Sequence, residues 1–301
     1  IEDIQQQLPE GDLLIEPFVG AASVFLNTNY SRYLLTDINP DLINLYQILQ
    51  RRPQQFIRDA KHYFNQECNQ SDYYYELRQR FNATSDEYQR SLMFLYLNRH
   101  GYNGLCRYNR SGGFNVPFCK KPNRFAQALV TKITNQVENI STIIEQGDYE
   151  FKHQDFKETL QELNPSDFVY SDPPYIGRHV DYFDSWTEEE EFFLNSGLEK
   201  SNCQFILSTW LSNKYRTNDY IFSIWADCFI ATKEHFYHVG AKETNRNAVY
   251  EALLSNIKLK DSISNFEMQS RIRNNKSQLT SEPNFLDSPQ QLLLKLETEP
   301  K

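Results

Sequence analysis

The sequence lacks the features that define several classes of protein. No stretch of its 301 residues approaches the ~18 consecutive apolar residues of a membrane-spanning helix, and no basic start followed by an apolar segment marks a secretory signal. Ten glycines exclude collagen-like or linker-like material. The five cysteines are odd in number and include no C-x-x-C pair. We therefore expect no membrane partner, and free thiols in a reducing compartment, the cytoplasm, rather than a disulfide frame or a metal site.

Acidic residues are missing from one long window. The net charge of −9, taken whole, argues against binding nucleic acid, yet there is no Asp or Glu between Glu87 and Glu138. That window holds eight Lys and Arg residues and carries a net charge of +8, which leaves a net charge of −17 for the remainder of the chain. A local basic stripe on an acidic body is typical of a surface that binds polyanions. A solvated face with distant acidic partners is the alternative.

Short apolar runs indicate an α/β domain formed by residues 1–50 and 146–256. The first two strands are predicted at Leu13–Ile15 and Tyr33–Leu35, where apolar runs are bounded by turn residues. Between them, Ala21–Leu26 is expected to open a helix.

Residues 51–145 show helical periodicity without strand alternation, and we expect an inserted helical domain there. Within it, Thr84 and Glu87 have the spacing of a capping box, and Gly101 stands where a C-terminal glycine cap belongs. Residues 257–301 are polar and are expected to form a mostly loose tail.

The first motif with chemical potential is Glu16–Ser23, which follows the first predicted strand. A glycine at a strand-to-helix turn lets a ligand approach the backbone closely, because it has no Cβ. Asp37 lies 17 residues after Gly20, where a carboxylate can accept hydrogen bonds from both ribose hydroxyls of an adenosine. The G-x-G-x-x-G fingerprint is not met, so S-adenosylmethionine (AdoMet) fits better than a dinucleotide. An ordinary tight turn is the alternative.

The second motif is Asp172-Pro173-Pro174-Tyr175, directly after the apolar run at 168–170. Two consecutive prolines must end the strand, and open α/β sheets bind ligands at this carboxyl edge. The Asp172 carboxylate and the Pro173 carbonyl can accept the two N–H groups of an exocyclic amine, while the Tyr175 ring stacks on the base. A loop stiffened by proline is the alternative.

The third motif is the segment at 97–118, which lies inside the acid-free window. Its arginine and asparagine side chains are of the types that pair with guanine and adenine edges, and its apolar tips can touch a thymine methyl. Tyr102 and Phe114 are expected to stack on the bases or wedge between them. A structural loop built from Asn and Gly turns is the alternative.

Together these motifs resemble the DNA adenine-N6 methyltransferases of the Dam type, the D12 class with the alpha-type motif order. The matching segments, in chain order, are Glu16–Ala21, Thr36–Asn39, Leu97–Arg99, Gly101–Asn109, Phe114–Phe118 and Asp172–Tyr175. The resemblance implies an α/β protein: a Rossmann-like, AdoMet-dependent methyltransferase sheet with an inserted, mostly helical target-recognition domain. It also implies AdoMet as methyl donor, no metal, double-stranded DNA as partner, GATC as the site, base flipping, and a monomer.

The resemblance assigns roles to individual residues. Catalysis would rest on Asp172, Pro173 and Tyr175. The residues expected to hold AdoMet are Glu16, Phe18, Gly20, Asp37, Asp155, Phe156 and Asp172. The residues expected to contact DNA are Arg99, Tyr102, Asn103, Leu105, Arg107, Asn109, Pro117, Lys120 and Lys121. Arg107 would contact guanine, Leu105 and Pro117 the thymine, and Asn103 and Tyr102 would enter or support the base stack.

Two departures from the family pattern keep other functions open. Ala22 replaces a family glycine, and the chain starts at Ile1 without the apolar-Lys-Trp-x-Gly-Gly-Lys segment that helps hold the methionine end of AdoMet. The alternative is therefore a catalytically impaired, DNA-binding homologue. A methyltransferase acting on RNA or a protein amide is a third possibility, and a dehydrogenase fits poorly. The segment 176–186 is expected to be a mobile loop over the target base, with Arg178 and His179 available for phosphate.

Overall fold

A computed structural model describes residues 1–119, 127–177, 186–236, 248–260 and 267–272. The strands are β1 (Leu13–Glu16), β2 (Arg32–Asp37), β3 (Asp148–His153), β4 (Phe168–Ser171), β5 (Gln204–Asn213), β6 (Arg216–Thr217), β7 (Phe229–Phe236), β8 (Ala248–Ser255) and β9 (Glu267–Arg271). The helices are α1 (Glu2–Gln7), α2 (Pro40–Arg51), α3 (Pro53–Ala60), α4 (Ser71–Ala83), α5 (Glu87–His100), α6 (Gln127–Gln146), α7 (Phe156–Gln161), α8 (Glu188–Ser201) and α9 (Tyr220–Ser223). No helix in these ranges is long and apolar enough to cross a membrane.

The described strands form a single sheet in the order β3-β2-β1-β4-β5-β8-β7-β9, and β6 pairs with β5. The first five strands in this order are parallel, whereas β8 runs antiparallel to both β5 and β7. The chain order reverses between β1 and β4, which is the place where open α/β sheets bind ligands at the carboxyl ends of their strands. The predicted Rossmann-like α/β sheet is confirmed.

The central strands read as continuous apolar runs because they are buried on both faces. Ile15 and Val169 join a core with Phe156 of α7, Leu194 of α8 and neighbouring residues. The adjacent Leu14 and Phe168 point to the opposite face, where they pack in a second core with residues of α2 and α6. This alternation follows from the two-residue period of a strand.

The described part of the segment between α2 and β3 is mostly helical, with α3 to α6, and also contains a non-helical stretch after α5. Helix α2 connects this segment to the sheet. Ile43 of α2 packs in the core under the sheet, whereas Ile48 and Leu49 pack with α3, α5 and α6. A further cluster joins α4 and α5 to the loop after α5. The proposed domain limits at residues 50 and 146 fall at the ends of α2 and α6. The division stays a prediction, because both helices pack on either side of it.

Two helix signals were interpreted wrongly. No α-helix opens at 21–26: Ala22 takes a φ of +64°, and only a 3-10 turn forms, at Phe25–Asn27. The cap of α5 is Asp86, whose side chain accepts from the N–H of Gln89. Thr84, the predicted cap, instead accepts from the N–H of Asp86 at 3.2 Å, so the helix starts at a carboxylate.

Gly101 follows α5 as predicted, yet its backbone is extended (φ −69°, ψ 159°) rather than left-handed. A Cβ at this position would lie 2.6 Å from the Leu97 carbonyl oxygen, so close approach, not backbone freedom, requires the glycine. The prediction of a loose tail was also wrong for residues 267–272. Strand β9 lies within it and pairs with β7, and Ile272 is buried in a core.

Candidate functional site

Two loops face each other across the point where the strand order reverses. One leaves β1 at Glu16 and the other leaves β4 at Asp172, and both strands end at the carboxyl edge of the sheet. Burial raises the pKa of Glu16, and Asp172 is close enough to add to this effect by charge repulsion. The structure therefore brings together the first two sequence motifs, which are 156 residues apart.

The first loop turns at Gly20 and is fastened to the end of β2. Gly20 has a φ of +45°, and its N–H donates to Oδ2 of Asp37 at 3.0 Å. Oδ1 of Asp37 accepts from the N–H of Asn39 at 2.8 Å, and the Tyr46 hydroxyl donates to the Gly20 carbonyl at 2.9 Å. Burial raises the pKa of Asp37, and these two N–H groups oppose the rise. Each carboxylate oxygen keeps a further lone pair for a ligand hydroxyl.

Glu16 is a buried carboxylate whose surroundings do not satisfy it. It is 2% exposed, and its Oε1 has no hydrogen-bond partner among the described residues. Burial raises its pKa well above the usual range, opposed by a hydrogen bond from the Phe25 backbone. A buried polar atom without a partner calls for an explanation, and a cationic ligand group beside Glu16 would supply one.

Phe18, Phe156 and Trp186 form an aromatic cluster beside this turn. The ring centroids of Phe18 and Phe156 are 5.3 Å apart, and Trp186 lies 5.5 Å from Phe18 and 5.1 Å from Phe156. These separations are typical of aromatic contacts. The sequence predicted the two phenylalanines and missed Trp186, because nothing in its local pattern indicates its distant neighbours.

Glu191 holds the indole of Trp186. This carboxylate is 3% exposed and accepts hydrogen bonds from the indole N–H groups of Trp186 and Trp225, the latter at 2.7 Å. Burial raises the pKa of Glu191, and both indole donors oppose the rise. Trp225 is fully buried in the core of the sheet, so Glu191 ties the aromatic cluster to a rigid anchor.

Asp155 lies at the end of the same cluster as the N-cap of α7. Its Oδ1 accepts from the N–H of Lys157 at 2.8 Å, which fixes the start of the helix that carries Phe156. Asp155 is half-buried. Ile38, directly after Asp37, is 50% exposed.

Asp172 is reached by water and yet closely surrounded by protein. Asp172 is exposed to solvent, and desolvation of its carboxyl by the surrounding protein raises its pKa to about 7, with the Glu251 charge adding to the rise. Pro173 is buried and Tyr175 is half-buried. The indole N–H of Trp210 on β5 donates to the Ile176 carbonyl at 2.9 Å, which fastens the loop to the sheet.

These residues fit AdoMet. A Cβ on Gly20 would meet only the Phe18 carbonyl oxygen, at 3.9 Å, so a ligand can approach the backbone. Glu16 offers an unsatisfied carboxylate oxygen to a cationic amino group, and Asp37 has lone pairs for hydroxyls. Phe18 and Trp186 of the aromatic cluster are only partly buried, so the cluster provides apolar surface beside the Gly20 turn. No group of three or more His, Cys, Asp or Glu in the described ranges is arranged to hold a metal ion.

The segment after α5 folds as an irregular β-hairpin. The N–H of Tyr102 donates to the Pro117 carbonyl at 2.9 Å, and the N–H of Asn115 donates to the Arg107 carbonyl at 3.0 Å. The tip lies at Asn109–Gly113, where Oδ1 of Asn109 accepts from the N–H groups of Ser111 and Gly113. We call residues 101–118 the recognition hairpin.

The predicted DNA-contacting residues are distributed unevenly over this hairpin. Tyr102, Asn103 and Pro117 are exposed together at its base, and Asn103 has a φ of +54°. Leu105 and Arg107 are half-buried, and Arg107 donates to Oδ1 of Asn115 at 2.8 Å.

Other members of the predicted set lie apart from this group. Asn109 is exposed, but its side-chain oxygen shapes the tip of the hairpin. Arg99 lies on α5 and contacts Gln136 at 3.3 Å. Lys120, Lys121, Arg178 and His179 fall outside the described residues.

Phe114 was predicted wrongly as a stacking residue. It is 1% exposed, and its ring packs against Phe81, Phe94 and Tyr108. The recognition hairpin thus has an inner apolar face, which the sequence did not reveal because the partners lie on α4 and α5.

A buried charge network connects the recognition hairpin to α2. Asp41 of α2 accepts from Nε and Nη2 of Arg90 at 2.8 and 2.9 Å and from the Tyr108 hydroxyl at 2.8 Å. Oδ1 of Asn39, the N-cap of α2, lies 3.5 Å from the same hydroxyl. The N–H of Asp41 donates to Oδ1 of Asn39 at 3.1 Å, and the N–H of Asn39 donates to Asp37. Hydrogen bonds therefore run from the recognition hairpin through Asp41 and Asn39 to the Gly20 turn. Arg90, one of the eight basic residues of the window, therefore forms an ion pair within the protein.

Comparison with known proteins adds independent findings. A family described as D12 class N6 adenine-specific DNA methyltransferase matches residues 1–245 of the chain. The DNA adenine methylase of Serratia marcescens is 48% identical over 177 residues, which covers 58% of this chain and 62% of that protein. The DNA adenine methylase of Escherichia coli strain K12 is 44% identical over 177 residues, covering 58% of this chain and 60% of that protein. The match therefore spans about three fifths of the length of these curated relatives.

Solved structures resemble the chain only distantly. An rRNA methyltransferase from Streptomyces viridochromogenes covers 85% of this chain, and 81% of its own length is covered, with a TM-score of 0.32 at 10% identity. A score this low supports no inference.

Proposed function

The chain belongs to the D12 class of N6 adenine-specific DNA methyltransferases, and from this premise we propose that it methylates adenine N6 in duplex DNA, using AdoMet. Residues 1–50 and 146–256 form the catalytic, AdoMet-binding domain, and residues 51–145 form the target-recognition domain. The observation that carries the proposal is the position of Asp172. Asp172 directly follows β4, opposite the Gly20 turn at the switch point of the sheet. Its carboxyl is exposed to solvent, and the surrounding protein raises its pKa to about 7.

The exocyclic amine of adenine is a poor nucleophile, because its lone pair is delocalised into the ring. The Asp172 carboxylate and the Pro173 carbonyl accept its two N–H groups and draw the nitrogen toward a tetrahedral geometry. Methyl transfer would break the methyl–sulfur bond of AdoMet, whose sulfur would leave as a neutral thioether, as the bond to N6 forms. Positive charge develops on N6, the Asp172 carboxylate stabilises that charge, and one N6 proton passes to Asp172. The Tyr175 ring stacks on the base and holds it in line.

The first loop and the aromatic cluster orient the methyl donor. When bound, AdoMet supplies a methyl group on a positively charged sulfur. Glu16 accepts from the amino group of its methionine part, and Asp37 accepts from the ribose hydroxyls. Phe18, Phe156 and Trp186 enclose the adenine ring, with Asp155 at its edge. Much of the rate enhancement then comes from holding two substrates in a reactive geometry.

The target adenine must leave the duplex, because N6 is paired and stacked there. Base flipping costs a few kcal/mol, and the recognition hairpin supplies contacts that offset this cost. The exposed Tyr102, Asn103 and Pro117 lie together on it, next to Leu105 and Arg107. We propose GATC as the site, with Arg107 contacting guanine and Leu105 and Pro117 contacting thymine. Each good bidentate base contact is worth about 1–3 kcal/mol of discrimination.

Methyl transfer to defined duplexes tests the proposal. The protein is incubated with tritium-labelled AdoMet and with two duplexes that differ only in whether they contain GATC. We expect label at adenine N6 in the GATC duplex alone. Equal labelling of both duplexes contradicts the GATC assignment. DNA binding without any labelling contradicts the proposed activity and supports the impaired homologue.

A further inference from the structure

A second basic hairpin lies on the sheet, outside the recognition hairpin. Strand β5 returns as β6 through a tight turn in which Asn213 pairs with Arg216. The Asn213 side chain accepts from the N–H groups of Tyr215 and Arg216 at 2.9 and 3.2 Å, which fixes the shape of the turn. Lys214, Tyr215 and Arg216 are exposed, and Tyr215 is 75% exposed. We call residues 213–217 the β5–β6 hairpin.

The β5–β6 hairpin is held against the loop that carries Asp172. Trp210 is buried, and its indole N–H donates to the Ile176 carbonyl at 2.9 Å. The guanidinium carbon of Arg216 lies 5.0 Å from the centroid of the same Trp210 ring. A Cβ on Gly177 would lie 3.8 Å from Nη1 of Arg216. One side chain, Trp210, therefore contacts both the catalytic loop and the cation of the β5–β6 hairpin.

Topology places the β5–β6 hairpin at the edge where the extruded base would enter. Strand β5 runs parallel to β4 and leaves the sheet at its carboxyl end, beyond the end of β4. Two consecutive strand ends thus present Asp172 and the pair Lys214 and Arg216. Outside the acid-free window the chain carries a net charge of −17, so two exposed cations on a hairpin that contacts the loop after Asp172 stand out from their acidic background.

We propose that the β5–β6 hairpin binds the phosphodiester backbone of the DNA strand that carries the target adenine. The inference rests on the proposed function and extends it to a second contact surface. A base that leaves the stack remains joined to its own backbone, so the phosphates beside it must approach the carboxyl edge at Asp172. Lys214 neutralises one of these phosphates at the tip of the turn, and Arg216, stacked on Trp210, neutralises a neighbouring one.

Phosphate contacts have a signature that base contacts lack. They release counterions, so each one contributes about 0.9 to the slope of log affinity against log salt concentration. They also act on every sequence equally, because the backbone carries no base information. The β5–β6 hairpin should therefore change the salt slope without changing the preference for GATC.

The test compares Lys214→Gln with Lys200→Gln in the full chain. Lys200 is an equally exposed lysine in the last turn of α8, just before β5 begins, and so lies at the amino edge of the sheet. Affinity for duplexes with and without GATC is measured by fluorescence anisotropy over a range of salt concentrations. We expect Lys214→Gln to lower the slope by about 0.9 for both duplexes. Lys200→Gln should leave the slope unchanged.

Three results overturn the inference. They are an unchanged slope in Lys214→Gln, an equal change in Lys200→Gln, and a loss confined to the GATC duplex. The salt slope of Arg216→Gln is measured in the same way as a second test. The affinity for AdoMet is expected to stay at the wild-type value in both hairpin variants. If the wild-type protein methylates GATC while Lys214→Gln keeps its slope, only this inference fails. If the wild-type protein binds neither duplex, the proposed function fails instead.

Discussion

Glu191 is a buried carboxylate that orients Trp186 of the aromatic cluster, although Glu191 is not itself part of that cluster. Glu191 is nearly inaccessible and satisfies two indole N–H groups, one at the aromatic cluster and one in the core. Removing one acceptor leaves a buried donor without a partner, which costs about 1–3 kcal/mol. The orientation of Trp186 over the site of the AdoMet adenine should therefore depend on the charge and both oxygens of Glu191.

Glu191→Gln should weaken AdoMet binding. The glutamine keeps the shape of the side chain and one acceptor oxygen, so only one indole N–H retains its partner. We expect a loss of affinity of about tenfold, equivalent to about 1.4 kcal/mol, measured by isothermal titration calorimetry at a temperature where both proteins are folded. The matched control is Glu189→Gln, an exposed glutamate in the same helix. Lower stability with unchanged AdoMet affinity would remove Trp186 from the cofactor site.

Individual residues differ in how far the sequence predicts them. The positions of Asp37 at the end of β2, of Asp172 directly after β4 and of Gly20 in the loop after β1 could be predicted, because local apolar runs mark the strands. Their roles stay predictions. Trp186 could not, because its partners Phe18 and Phe156 come from distant parts of the chain. Phe114 was wrong for the same reason: the rings that bury it belong to α4 and α5.

At the scale of elements, α2 links the recognition hairpin to the Gly20 turn, the proposed sites for DNA and for the cofactor. Its first turn carries Asp41, which holds Tyr108 of the recognition hairpin and Arg90 of α5. Its N-cap, Asn39, donates to Asp37 at the Gly20 turn. Burial and the Asp41 charge raise the pKa of Tyr108, so its hydroxyl keeps the proton that it donates.

Tyr108→Phe should lower both stability and sequence discrimination. The change removes a hydrogen bond to a charged acceptor, which is worth about 1.5–3 kcal/mol. We expect the lower end of that range in the free energy of unfolding, because Asp41 keeps its paired Arg90. Urea denaturation measures the first effect. The ratio of kcat/KM between the GATC duplex and a duplex with one changed base pair measures the second, and it should fall.

Tyr102→Phe is the control for stability. Tyr102 lies in the same hairpin and is half exposed, so removing its hydroxyl should leave the free energy of unfolding unchanged. An undiminished GATC preference in a destabilised Tyr108→Phe protein would show that the Asp41 network supports the fold without positioning the recognition hairpin.

Elements were predictable where burial leaves a local pattern. Strands β1, β2, β4 and β5 are covered on both faces, so each reads as an apolar run. The stretch 21–26 is also apolar, but Ala22 takes a left-handed backbone conformation and only a 3-10 turn follows. Strand β9 was missed because it pairs with β7, and such edge pairing leaves no apolar run in a polar segment.

At the scale of the whole molecule, charge is sorted about the sheet. The remainder of the chain carries a net charge of −17, whereas the recognition hairpin falls in the acid-free window, which carries +8. The β5–β6 hairpin adds Lys214 and Arg216 at the carboxyl edge, in contact with the loop that follows Asp172. Such sorting steers a polyanion toward one edge of a negatively charged protein, and that edge holds the switch point.

The Asp172 carboxylate is held at a cost to stability. Its pKa in the folded protein is raised to about 7, so the folded state binds the proton more tightly than the unfolded chain does. Stability from this group is present at low pH and is lost as pH rises toward 7. The same rise in pH creates the ionised form that accepts the N–H groups of adenine.

The most direct test is therefore the pH profile of kcat/KM for a GATC duplex, which reports ionisation in the free enzyme, in wild-type protein and Asp172→Asn. The account predicts a wild-type rate that rises with pH and levels off above about 7. Asp172→Asn should be at least ~100-fold slower, as when one group that stabilises transition-state charge is removed, and should lose the dependence on pH. An Asp172→Asn protein with wild-type rates, or with the wild-type pH profile, would contradict the claim that this carboxylate grips the amino nitrogen of adenine.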